Sequence, residues 1–120
     1  MNRPVHFEFH VADVQRALKF YADVFGWKSQ RFPGPMEYYV LRTGEGEGID
    51  GGLMRAPDGG TRTINTIKVE NVDRAVEKAI AHGATIALPK MPIPGVGWLA
   101  YCKDPDGQIF GVTHEDKNAK

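Results

Sequence analysis

Between positions 5 and 11 apolar and polar residues alternate without a break. Val5, Phe7, Phe9 and Val11 fall on one side, and His6, Glu8 and His10 on the other. A period of two predicts a strand with one buried face. At Asp13 the period changes: Val14, Ala17, Leu18, Tyr21, Val24 and Phe25 recur at helical spacing. That pattern predicts a helix with one buried stripe, capped by Asp13 and stopped at Gly26. Strands follow over residues 27–32, 36–42 and 49–54, separated by Pro33-Gly34-Pro35 and by the glycine-rich residues 44–48. The order then starts again. Residues 63–69 read as a strand, and Asn71 caps a helix with the stripe Val72, Ala75, Val76 and Ala79, closed at Gly83. Strands are predicted over 85–88, 98–103 and 108–114, with a loop over 89–97 and a frayed tail at 117–120.

The repeat is visible in the residues themselves. Positions 9–18 are echoed 58 positions later by 67–76, with Val11 and Val69, Asp13 and Asn71, Val14 and Val72, Arg16 and Arg74, and Ala17 and Ala75 sharing slots. Each unit is βαβββ, the first spanning about 4–55 and the second about 62–114, with a tail at 115–120. The chain is therefore expected to form one domain by duplication, with an α+β fold.

Composition narrows the partners. Lysine plus arginine equals aspartate plus glutamate at 15 each, so the formal net charge is zero. Neither nucleic acid nor an anionic membrane is the expected partner. No apolar run is long enough to span a bilayer, and residues 1–10 carry no signal-peptide core. The single cysteine, Cys102, lies in an apolar strand-like run and reads as a buried packing thiol. One unpaired cysteine fits a reducing, cytoplasmic setting. Residues 44–48 are not a phosphate loop, since no lysine follows and two glutamates would repel an anion.

The duplicated βαβββ order, the pattern His-x-x-x-x-Val-x-Asp-Val-x-x-Ala-x-x-Phe-Tyr-x-x-Val-Phe-Gly-Trp from His6 to Trp27, and the Asp104-Pro105-Asp106-Gly107 turn resemble the glyoxalase/bleomycin resistance/dioxygenase superfamily, also called vicinal oxygen chelate proteins. The resemblance runs from His6 to His114. It implies a curved, mostly antiparallel eight-stranded cup. It also implies, in the metalloenzymes, four metal ligands drawn from the first and last strand of each unit. His6 occupies the first of those slots in this sequence. The repeat offset places the second at Ile64, and alignment of the last strands places the others at Gly52 and Gly111. Isoleucine and glycine offer no donor, so the four-ligand site is expected to be absent and no cofactor is expected.

The remaining chemistry is concentrated on one strand face. His6, Glu8 and His10 sit at i, i+2 and i+4, about 6.5–7 Å apart from one to the next. Glu8 and His10 are the candidate general acid and base. His6 is the candidate metal ligand, should a divalent metal bind with a third donor such as Asp50 or His114. The bland alternative is a solvated polar strand face. A ligand-binding lining is expected from His6, Tyr39, Asp50, Gly52, Met54, Trp98 and Gly111, with the two glycines leaving room and the aromatics forming a wall. His82 is expected to cap a helix end, and His114 to be solvated. The resulting expectation is a homodimeric small-molecule-binding protein. The alternatives are a metal-dependent lyase, isomerase or dioxygenase using His6, and a non-catalytic dimerising scaffold.

Overall fold

The computed structural model describes residues 1–120. The elements run β1 (Arg3–Val11), α1 (Val14–Phe25), β2 (Lys28–Arg31), β3 (Tyr38–Arg42), β4 (Gly51–Arg55), β5 (Arg62–Lys68), α2 (Val72–Ala81), β6 (Thr85–Ile93), β7 (Gly97–Lys103) and β8 (Ile109–Glu115). The βαβββ order is thus present twice, and the class is α+β. Two compact units divide the chain: His6–Ile64, and Met1–Val5 with Asn65–Lys120.

In the His6–Ile64 unit the strands lie in the order β2-β3-β4-β1. β1 and β4 are parallel, with Glu8 opposite Gly52 and His10 opposite Met54. The other pairings are antiparallel. Alternation along β1 decides what each face does. Phe7, Phe9 and Val11 point to α1 and pack with Ala17, Leu18, Tyr21, Trp27 and Tyr39 around the buried Val14, Leu41 and Leu53. The Tyr21 and Trp27 rings stack at 5.1 Å and 10°. Burial of each such aliphatic side chain stabilises the fold by about 1.5–3 kcal/mol. The stripe of α1 closes earlier than its periodicity predicts. Val24 and Phe25, in the last turn, are 54% and 60% exposed. Gly26 ends the helix in the left-handed region at φ 74°.

The second unit repeats the plan, with strand order β5-β8-β7-β6 and β5 parallel to β8. Val69, Val72, Ala100 and Val112 form its core with Ile67, Ala75, Val76, Trp98 and Phe110. The duplicated caps behave alike. Asp13 accepts from the Arg16 N–H and Asn71 from the Arg74 N–H, each at 3.0 Å. Both caps are in extended backbone, as N-caps require.

Three local expectations are corrected. β6 does not stop at residue 88 but continues to Ile93 through two register shifts, pairing Pro92 with Trp98. It is an edge strand of its unit, where prolines are tolerated because no neighbour needs their missing N–H. The tail is not frayed: Ala119 is 2% exposed, and its carbonyl accepts from the Gly95 N–H at 3.0 Å. His114 is not a solvated side chain either. Its Nδ1 accepts from the Val72 N–H at 2.9 Å, satisfying one of the unpaired donors at the start of α2. His82 is the C-cap of α2, with Nδ1 2.9 Å from the Lys78 carbonyl. Cys102 is buried, and burial raises its thiol pKa.

Candidate functional site

Because one face of β1 is committed to the α1 core, the polar residues of β1 must share the other. They do not stay solvated there: Glu8 is 5% and His10 8% exposed, and His6 is half-buried. A buried carboxylate and imidazole are tolerated only when hydrogen-bonded. No buried side-chain nitrogen or oxygen in the protein lacks a partner.

The bonds form a continuous chain. His6 Nε2 lies 3.0 Å from the Tyr38 hydroxyl. Tyr38 donates to Glu8 Oε1 at 3.1 Å, and Glu8 Oε2 is 2.7 Å from His10 Nε2. His10 Nδ1 meets Arg62 Nη1 at 3.2 Å. Arg62 in turn donates from Nη2 to both oxygens of Asp58 at 2.8 and 2.6 Å. Those bonds to Arg62 are the largest cause holding the Asp58 carboxyl at about 2. Burial lowers the His6 pKa below the ordinary imidazole value, an effect partly offset by the charges of Glu8 and Asp50.

Tyr38 reaches this position because residue 52 has no side chain. A Cβ placed on Gly52 would coincide with the Tyr38 hydroxyl. The glycine therefore does not leave open room; its space is filled by the tyrosine. The adjacent Gly51 does the same on the opposite face for the Phe7 ring. In the other unit a Cβ on Gly111 would meet Thr66 Oγ1 at 2.9 Å and a Tyr101 ring carbon at 3.3 Å.

The predicted lining residues separate accordingly. Met54 lies opposite both His10 and Tyr38 in the strand register, on the polar face of the sheet. Asp50 precedes β4, and its Oδ1 accepts from the Thr43 N–H at 2.9 Å, pinning the 43–50 turn. Tyr39 and Trp98 do not occupy matching places in the two units: Tyr39 pairs with Leu53, and the counterpart of Leu53, Val112, pairs with Ala100, two residues from Trp98. Both aromatics lie on the wrong face for a ligand wall. Tyr39 packs in the α1 core and receives a hydrogen bond from Gln15 at 3.3 Å. Trp98 packs in the α2 core, donates from Nε1 to Asp116 at 3.0 Å, and carries the Lys90 ammonium 4.7 Å from its ring centroid. Sequence reasoning passed over Tyr38, Arg62 and Asp58. Tyr38 carried a signal: it alternates with the core residue Tyr39, so it had to face the side where His6 lies. Arg62 and Asp58 carried none, because their approach to His10 depends on how the chain after β4 turns.

No group of three or more His, Cys, Asp or Glu side chains is arranged to hold a metal ion. No helix is long and apolar enough to cross a membrane.

Residues 3–44 match the family described as bleomycin resistance protein-like, N-terminal. Over 117 residues the chain is 28% identical to a Mycobacterium bovis protein named as a glyoxylase, an alignment covering 92% of this chain and 45% of that protein. The fold matches the crystal structure of the Mn(II)-bound glyoxalase from Novosphingobium aromaticivorans, with a TM-score of 0.69 and 22% identity over 99% of this chain and 41% of that one. These matches support the vicinal oxygen chelate (glyoxalase/bleomycin resistance) superfamily. Methylmalonyl-CoA epimerase from Mycobacterium tuberculosis shares the fold at a TM-score of 0.73 and 14% identity, over 94% of this chain and 87% of that one. The chain spans about half the length of the curated relatives it matches, 45% and 43%.

Proposed function

We propose that this vicinal oxygen chelate protein binds a small organic molecule against the polar face of β1, without the four-ligand metal centre of its metalloenzyme relatives. One observation carries the reading: the Tyr38 hydroxyl fills the space of a side chain at residue 52 and bonds both His6 and Glu8. The other slots hold Ile64 and Gly111, which supply no donor. These residues do not fit the family's metal site, and no chemical step is derived through one. Glu8 and His10 are buried and bonded to each other, so their part is to hold the polar face rather than to meet a ligand directly. His6, half-buried, is the group of the three placed to meet it. A cytoplasmic homodimer completes the proposal, with size-exclusion light scattering as its check.

A second reading is favoured by the Mn(II)-bound glyoxalase among the structural relatives. In it, His6 and non-standard ligands hold a metal for lyase, isomerase or dioxygenase chemistry. One experiment separates the two. The protein is prepared without chelator in manganese- and zinc-supplemented medium, and bound metal is measured per protomer beside His6→Ala. Metal well below one equivalent in both is expected. Near-stoichiometric metal that disappears in His6→Ala overturns the proposal. The ligand class is then sought by thermal shift against lactoylglutathione, methylmalonyl-CoA and bleomycin, the compounds named by the relatives and the family. A shift that His6→Ala abolishes supports binding at this face.

A further inference from the structure

We infer that the chain running from Asp58 to His6 is proton-ordered, and that it presents His6 Nδ1 to the ligand as a fixed hydrogen-bond acceptor. This deepens the ligand-binding reading above and rests on it for the identity of the ligand-facing side.

The order follows from what each group can do. A guanidinium only donates, so His10 Nδ1 must accept from Arg62. A neutral imidazole carries one proton, so the proton of His10 is on Nε2, where it is donated to Glu8 Oε2. Glu8 Oε1 accepts the single hydroxyl proton of Tyr38. Having spent that proton, the Tyr38 oxygen can only accept from His6. The proton of His6 is therefore on Nε2, and its Nδ1 carries a lone pair. Within the protein, Nδ1 of His6 makes no hydrogen bond, whereas both ring nitrogens of His10 are engaged. An acceptor held in one tautomer recognises a ligand O–H or N–H and discriminates against one presenting only acceptors there. Tyr38, Glu8, His10 and Arg62 act through His6 and are positioning residues.

The prediction is specific because the four histidines do not all take the same form. His114 accepts through Nδ1 from the Val72 N–H, which places its proton on Nε2 as well. His82 Nδ1 faces the Lys78 carbonyl and must donate, so its proton is on Nδ1. Long-range 15N–1H correlation spectra of the ligand-free, metal-free protein at mildly alkaline pH read each tautomer directly, with His6→Gln and His10→Gln assigning the signals. His6, His10 and His114 are expected as Nε2–H forms. Tyr38→Phe removes the acceptor for His6 and is expected to shift only its ring signals towards a tautomer mixture. Arg62→Met is expected to release His10 in the same way. An Nδ1–H form of His6 in the native protein overturns the inference, as does a His6 ring unmoved by Tyr38→Phe. The native spectrum decides the first point even if a variant fails to fold. Failure here is distinct from failure of the proposed function: stoichiometric metal sinks that reading, whereas the tautomers are read in its absence.

Discussion

Substitution of Gly52 by alanine tests the central feature of the site with a single methyl group. Residue 52 does not have the positive φ that favours glycine, so the backbone accepts alanine without strain. On conformational grounds alone the change would stabilise the protein by roughly 0.4–1 kcal/mol, through the unfolded chain. The structure reverses that sign, because the new methyl would coincide with the Tyr38 hydroxyl and crowd its ring. Overpacking of this kind costs about 1–3 kcal/mol. Displacing the hydroxyl also forfeits its bonds to His6 and to the buried Glu8, worth about 1.5–3 kcal/mol where one partner is charged. The expected net loss is about 2–4 kcal/mol, or about 6–20 °C in Tm for a chain of this size. Thermal and urea unfolding of the wild type, Gly52→Ala, Tyr38→Ala and the double variant provide the cycle. In the Tyr38→Ala background the obstacle is gone, so Gly52→Ala should cost less there by at least about 1 kcal/mol. Gly111→Ala, whose methyl meets Thr66 and Tyr101 less severely, should rank below Gly52→Ala in damage. A Gly52→Ala protein as stable as the wild type, or a cost unchanged in the Tyr38→Ala background, would refute the reasoning.

Other consequences are open to the same measurements. The Asp58 carboxyl, held at about 2 against an ordinary 3.8, adds stability that is complete above the unfolded value and is lost as pH falls towards the folded one. The stability gap between wild type and Asp58→Asn should therefore be flat above about pH 5 and should close as the pH approaches 2; a gap that persists in acid contradicts the assignment. Asp13→Ala and Asn71→Ala remove equivalent caps and should each cost about 1 kcal/mol, with Asn or Ser at position 13 and Asp or Ser at position 71 keeping most of the stability. His114→Ala strips the Val72 N–H of its acceptor and should cost about 1–3 kcal/mol. Increased hydrogen exchange in the first turn of α2 would accompany that loss, and unchanged exchange there would rule the contact out as a cap.

Local chemistry in the chain carried most of the scaffold. The period of two in β1, the period of 3.6 after Asp13 and Asn71, and the repeat offset suffice to place two βαβββ units, because alternation, capping and turn formation are decided within a few residues. Edges were less legible. Pro89 and Pro92 read as loop, yet β6 continues to Ile93, since proline's missing donor matters only where a neighbouring strand needs it. Side-chain faces were legible where a register could be counted. The same count that puts His6, Glu8 and His10 together puts Tyr39 and Trp98 with the helices, and it names Tyr38 as their companion.

What the sequence determined by itself was therefore the family resemblance, the fold class and the absence of a donor side chain at Ile64, Gly52 and Gly111, since each is read from residue identity and spacing. Only the tertiary structure decided what fills the space at Gly52. A glycine states that a side chain is missing, but not which neighbour fills the space. That neighbour, the Tyr38 hydroxyl, comes from an adjacent strand two places away from β1. The direction of the hydrogen bonds from Asp58 to His6 likewise depends on Arg62, distant in sequence from His10 and brought to it by the path of the chain. Pairings between distant residues are set by packing and register, so the polar face became a connected chain with one open acceptor only once the strands were in place.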